Sequence, residues 1–234
     1  CTVQLLGSDA ENMAINALEA VRMGAAKIDI NFGCPAPTVN KHLGGAILLR
    51  EPERVHQIVD TVRRHLPEHI PLSAKMRLGF EDKSLALDNA AAIAAGGACA
   101  LTVHARTKVE GYEPPAHWIW VRNIRDSVSI PVIANGDVFC LDDYLGIKNE
   151  SGCEHVMLGR GAVMRPDLAR QIKAYEAGEH VPDMLFSEVM VWIRLFFNLC
   201  LQKEATNKYP VARLKQWLGM MKRVYPQAQQ LFDA

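Results

Sequence analysis

Held between glycine and proline in "NFGCPAP" (31–37), Cys34 is a thiol on a tight, preorganised turn that follows an apolar run. A lone cysteine is most often a small buried apolar side chain. Asn31 just upstream and the glycine pair of "LGGAILL" (43–49) shift the balance toward chemistry, with Gly44 and Gly45 suiting either a mobile lid or a plain turn. Lys75 is central in "SAKMR", flanked by residues that read as buried, and burying an ammonium is costly unless an anion meets it. A Schiff-base lysine, a counter-ion for a cofactor and a strand-end lysine reaching solvent all stay open. His104 closes "LTVHAR" at a comparable position. "IPVIANGD" and "VMLGRGA" bring Gly136 and Gly159, where backbone can approach a ligand, and Arg160 adds a fork of donors. Phosphate binding is preferred there over turn geometry alone. No His/Cys spacing suits a metal, and no Ser/His/Asp order is evident.

Six short apolar runs must position these residues: 2–7, 27–33, 71–79, 99–106, 130–137 and 155–161. Amphipathic stretches alternate with them. Ala14, Ala17, Leu18 and Val21 recur at helical spacing, as do Val55, Ile58, Val59, Val62 and Leu66, with Pro52 and Glu53 opening the second helix. Strand–helix alternation of this kind implies a parallel sheet, either an open doubly wound one or a closed barrel. No GxGxxG follows the first run, and the polar residues sit at the C-terminal ends of the runs: Gln4, Asn31 and Cys34, Lys75 and Arg77, His104 and Arg106, Asn135 and Asp137, Arg160. In a barrel those ends share one mouth, where catalytic residues gather. From about residue 180 the pattern becomes purely helical, over 187–201 and 211–223, with Ser187 as expected N-cap and Pro210 in the first turn of the second helix.

With 234 residues and 49% hydrophobic content, the chain can bury one sizeable core. No run is long and apolar enough for a membrane span, and six scattered cysteines without a CxxC pair fit a reduced, cytosolic compartment. Net charge is zero, but residues 201–234 hold six basic residues against Glu204 and Asp233, leaving this tail at +4 and the remainder at −4. That asymmetry gains meaning only where an anionic ligand is otherwise called for.

The segments "VQLLG", "INFGCPAPTVN", "GGAILL", "AKMRLGF", "TVHARTKVEGY", "PVIANGD", "VMLGRGA" and "VARLKQWL" run over nearly the whole chain. In this order they resemble the tRNA-dihydrouridine synthases, most closely the bacterial C-type branch. The resemblance implies a (β/α)8 TIM barrel that binds FMN (residues 1–179), followed by a small all-helical tRNA-binding domain (residues 180–234). The chain aligns from the family's third strand and short of its last tail helix, so the sequence is read as part of a longer product whose barrel has two further strands. Pro37 stands where relatives often carry a charged residue, and "KHLGGA" is shorter than their glycine run.

Carried over residue by residue, the resemblance implies that Gln4, Lys75, His104, Asn135, Gly136, Asp137, Gly159 and Arg160 contact FMN, the last five near its phosphate. Cys34 would donate a proton, Asn31 and Arg77 would hold the target uridine or its flanking phosphate, and Arg213 and Lys215 would grip tRNA. The implied activity is reduction of the 5,6 double bond of a uridine in the tRNA D loop, at position 16 by the C-type likeness, with NADPH as reductant. A monomer without protein partner or membrane attachment is expected, in the cytoplasm. Two other readings compete: a flavin barrel reducing a free pyrimidine or dienoate, which needs no basic helical tail, and a truncated RNA-binding remnant without activity.

Overall fold

The computed structural model describes residues 1–203 and 208–233, which divide into two compact units. The first comprises residues 1–136 and 146–157; the second comprises 137–145 and the described residues from 158 onward. In the first, β1 (Thr2–Leu5), β2 (Lys27–Phe32), β3 (Leu72–Arg77), β4 (Ala100–His104), β5 (Val132–Asn135) and β6 (His155–Met157) form one parallel sheet in strict sequence order. A doubly wound sheet reverses its order at a switch point. An unreversed order with right-handed crossovers instead places every connecting helix on one face, as in the wall of a TIM barrel. The six apolar runs are therefore strands, and their order decides between the two architectures left open above.

The connections of this unit carry α1 (Ala10–Arg22), α2 (Pro37–Lys41), a 3-10 turn (Gly45–Arg50), α3 (Pro52–His65), α4 (Ala86–Ala95) and α5 (Trp118–Ser127). Asp9 caps α1 by accepting the Asn12 N–H at 2.8 Å. Pro37 and Pro52 occupy the first turns of α2 and α3, where a missing N–H costs nothing. Neighbouring helices pack in order, α1 on α3, α3 on α4 and α4 on α5. α6 (Leu141–Ser151) has residues in both units.

Partners in parallel register share a face, and side chains alternate between faces along each strand. One face of this sheet carries Leu5, Ile28, Ile30, Phe32, Leu72, Ala74, Met76, Leu101, Val103, Val132 and Ala134. Beneath the helices, Ile28, Phe32, Leu72, Ala74, Met76, Leu101, Val103 and Ala134 are all fully buried. The other face carries Gln4, Asp29, Asn31, Ser73, Lys75, Arg77, Thr102, His104 and Asn135. Parallel strands covered on both sides usually read as continuous apolar runs. Here the strict alternation leaves one face polar, and that face holds most of the residues with chemistry to offer.

The second unit is helical: α7 (Arg160–Met164), α8 (Leu168–Glu176), α9 (Phe186–Leu201), α10 (Tyr209–Met221) and α11 (Gln227–Asp233). Its core joins Val189 and Ile193 of α9 to Leu218 and Met221 of α10, with Tyr225 and Ala228 closing it. Pro210 lies in the first turn of α10 as expected. The N-cap of α9 is Leu185 rather than Ser187, because the Glu188 carboxylate reaches back to accept the Leu185 N–H at 2.7 Å and starts the helix two residues earlier.

Phe32 is fully buried on the helix-facing side of β2. Phe32→Ala is expected to cost about 3–5 kcal/mol of stability in urea denaturation. A loss under about 1 kcal/mol would place that face outside the core.

Candidate active site

Cys34 lies two residues beyond the end of β2 and is half-buried. Its turn is held from four directions. Asn31 Oδ1 accepts the Gly33 N–H at 2.8 Å. The Cys34 carbonyl accepts from Asn40 Nδ2 at 3.0 Å and from the Ala46 N–H at 3.1 Å. Arg77 Nε donates to the Gly33 carbonyl at 3.0 Å. The fourth constraint is steric: Gly45, at φ +69°, lies so close that a Cβ would sit 2.8 Å from the Cys34 oxygen and 2.9 Å from its Cβ. Gly45 is thus required by close packing against the cysteine.

Around this turn the polar sheet face is organised by Asp29, which is buried. It accepts from Ser73 Oγ at 2.5 Å and from Gln4 Nε2 at 2.7 Å, and Gln4 Oε1 accepts from Asn31 Nδ2 at 2.9 Å. Both ends of the Asn31 amide are therefore used, one on Gln4 and one on Gly33. Lys75 stands between Asn31 and Thr102 in register. Burial, reinforced by Arg77 and opposed by Asp29, brings its ammonium down to about 8. Among the described residues no carboxylate comes within ion-pair distance of Lys75 or Arg77. The face is cationic around Lys75 and Arg77.

Arg77 is only 2% exposed. Besides Gly33, it donates through Nη1 to the carbonyls of Thr107 at 2.8 Å and Gly111 at 2.9 Å, and its guanidinium lies 5.1 Å from the Tyr112 ring centre. Burial lowers its pKa from the ordinary arginine value. The side chain expected to hold uridine or phosphate is thus committed to three backbone carbonyls. His104 is buried, with its ring 5.9 Å from Tyr112. Gly136, at φ +131°, packs on that imidazole, and an added Cβ would be 3.1 Å from His104 Cδ2. Asn135 Nδ2 donates to the Met157 carbonyl at 2.8 Å.

In the second unit, Asp137 takes a left-handed backbone at φ 56° and pairs with Arg160 at 3.1 Å. A Cβ at Gly159 would meet no atom within 4 Å, so the backbone there faces open space. Arg213 and Lys215 lie on α10, near the aromatic rings of Tyr209 and Phe232 respectively. Lys222 also sits over Phe232, at 4.1 Å. Among the described residues none of these three cations has a carboxylate within ion-pair distance. Glu204, counted in the tail's charge, lies outside the described residues.

Asp29, Asn40, Glu110 and Tyr112 were not reached by sequence reasoning. Asn40 is 6% exposed, and its single available signal is an amide inside a short helix, where asparagine competes with the backbone. Tyr112 acts from a loop, and its proximity to Arg77 depends on pairing across β3 and β4.

A parallel sheet in barrel order, with its polar residues at the C-terminal strand ends, defines the class: barrel enzymes with a strand-end active site. The dihydrouridine synthase family model matches residues 1–232, and the chain belongs to that family. A tRNA-dihydrouridine(16) synthase of Neisseria meningitidis serogroup A is 74% identical over 233 residues, covering 100% of this chain and 70% of that protein. One from Aquipseudomonas alcaligenes is 54% identical over 230 residues, covering 98% and 73%. A solved morphinone reductase variant in complex with tetrahydroNAD is similar in fold, with a TM-score of 0.51 at 16% identity over 76% of this chain and 51% of that one.

Because Lys75 is lowered to about 8, its charge costs folding below that pH, where folded and unfolded chains both hold the proton. Between about 8 and the ordinary 10.5 only the unfolded chain holds it, so the penalty is relieved as pH rises. Lys75→Met is expected to exceed the parent in stability at neutral pH, with the gap closing across that window in urea melts at stepped pH. A gap that does not change with pH contradicts a buried ammonium.

Proposed function

We propose that this chain reduces the 5,6 double bond of a uridine in the tRNA D loop, at position 16, to give dihydrouridine. The observation that carries the reading is the Cys34 turn: a half-buried thiol fixed beside a cationic sheet face, in a chain whose relatives are named for that modification.

The reaction places a hydride and a proton on neighbouring carbons. FMN, when bound and reduced by NADPH, supplies the hydride. Gln4, Lys75, His104, Asn135 and Gly136 are the residues of the first unit proposed to hold it. The absence of a carboxylate within ion-pair distance of Lys75 among the described residues supports the fit. A half-buried cation of this kind favours an anionic ligand and stabilises negative charge that grows during reaction.

The protein must then supply the acid. Hydride addition at the double-bond carbon remote from the conjugated carbonyl leaves negative charge on the carbon next to that carbonyl, and this carbon must then take a proton. Cys34 donates that proton from its Sγ. Asn31 and Arg77 are proposed to meet the uridine; their hydrogen bonds to the Gly33 N–H and carbonyl couple any such contact to the position of the thiol. The uridine must leave its stack to reach this depth, as targets of base-modifying enzymes do. Residues 1–179 are assigned the FMN-binding and catalytic role and 180–234 the tRNA-binding role, with Arg213 and Lys215 placing the backbone.

Cys34→Ala is expected to abolish dihydrouridine formation while NADPH still bleaches the flavin; retained turnover would remove the thiol as acid. Arg213→Ala with Lys215→Ala is expected to weaken tRNA binding and make log K against log salt shallower by roughly 1.5, since two phosphate contacts release fewer counterions. An unchanged slope removes α10 from the interface.

A further inference from the structure

Glu110, in the loop after β4, is a charged group that the reaction does not use. It pairs reciprocally with Thr107: the Thr107 N–H donates to Glu110 Oε2 at 2.7 Å, and the Glu110 N–H donates to Thr107 Oγ1 at 3.1 Å. Its Oε1 accepts from Lys83 Nζ and lies 3.1 Å from His117 Nε2. Burial alone would raise this carboxyl, but Lys83 and the Thr107 amide outweigh it and hold it below the usual carboxylate range. The anion is therefore locked in the loop by groups from three segments.

What this lock fixes bears on the thiol. Thr107 and the residue following Glu110, Gly111, offer the two carbonyls that anchor Arg77 Nη1. The same guanidinium holds the Gly33 carbonyl through Nε, one residue before Cys34. Two further backbone bonds seat the loop on the strand-end segment after β3: Lys108 N–H to Gly79 O at 2.9 Å and Val109 N–H to Phe80 O at 3.0 Å. The path from carboxylate to cysteine turn runs through one side chain, and every link in it is a hydrogen bond of ordinary length or a covalent neighbour.

We propose that Glu110 is a positioning residue for Cys34, fixing Thr107 and Gly111 so that Arg77 holds the cysteine turn in place. Its catalytic consequence rests on the reading of Cys34 as proton donor; its geometric content does not.

Peptide-resolved alkylation by iodoacetamide tests it on the folded full chain, with exposed Cys99 as internal reference for half-buried Cys34. Glu110→Ala is expected to raise the Cys34-to-Cys99 rate ratio about tenfold as the turn loosens and the thiol is exposed. It is also expected to lower kcat for uridine reduction on the order of 10–100-fold while KM for tRNA stays within about twofold. An unchanged ratio in the folded variant overturns the proposal. If Glu110→Ala does not fold, Lys83→Met replaces it, removing the carboxylate's ammonium while leaving the loop's backbone bonds; a ratio raised about threefold or more supports the proposal and an unchanged one overturns it. A raised ratio with parental kcat supports the positioning and counts against Cys34 as the acid.

Discussion

The guanidinium of Arg77 bears on nearly everything else in the first unit. It is buried, it has no carboxylate within ion-pair distance among the described residues, and it meets three backbone carbonyls from two loops. A buried cation is tolerated only when its donors are satisfied. Conversely, each carbonyl stripped of its donor in such a site costs about 1–3 kcal/mol. Loop 107–111 and the Gly33–Cys34 turn therefore cannot move independently of this side chain. A planar fork with five donors can serve three acceptors in fixed directions, which a lysine ammonium on a flexible stem does not reproduce.

This arrangement is possible because the sheet keeps its two faces chemically distinct. Ile30, Phe32, Ala74, Met76 and Val103 bury the helix-facing side, and the intervening residues Asn31, Lys75, Arg77, Thr102 and His104 are left to carry polar and charged groups. Because side chains alternate along a strand, a one-residue slip would exchange the faces, so the register is set by the apolar core and the site inherits its precision from it. Asp29 is the single carboxylate among the paired residues of the polar face, and Ser73 and Gln4 already occupy it. The surplus of positive charge over that carboxylate suits an anionic cofactor and the negative charge that develops in an adding uracil ring.

Much of this was legible in the sequence. The six runs became strands because period, length and flanking glycines agreed, and the Gly-Cys-Pro segment announced a constrained thiol. Sheet order settled barrel against open sheet, which run spacing alone did not. The resemblance implies a ligand contact for Arg77, but its burial was not legible: it arises from loop 107–111, whose approach depends on β3–β4 pairing. Asn40, Tyr112 and Glu110 share that obstacle. Their partners are distant in sequence or reached through loop geometry that no periodicity encodes. The misplaced cap at Ser187 has a different cause: a carboxylate three residues into a helix can serve an apolar N-cap residue as well as a hydroxyl-bearing one.

The central claim is spatial: the thiol of Cys34 and the hydride source address opposite faces of one extruded uracil. A crystal structure of the flavin-loaded protein with a D-loop-bearing tRNA measures this directly. The account predicts Cys34 Sγ within about 3.5 Å of the uracil carbon that receives the proton, with the flavin ring across the base from it. A thiol turned into the interior, or on the same side of the base as the flavin, would contradict it.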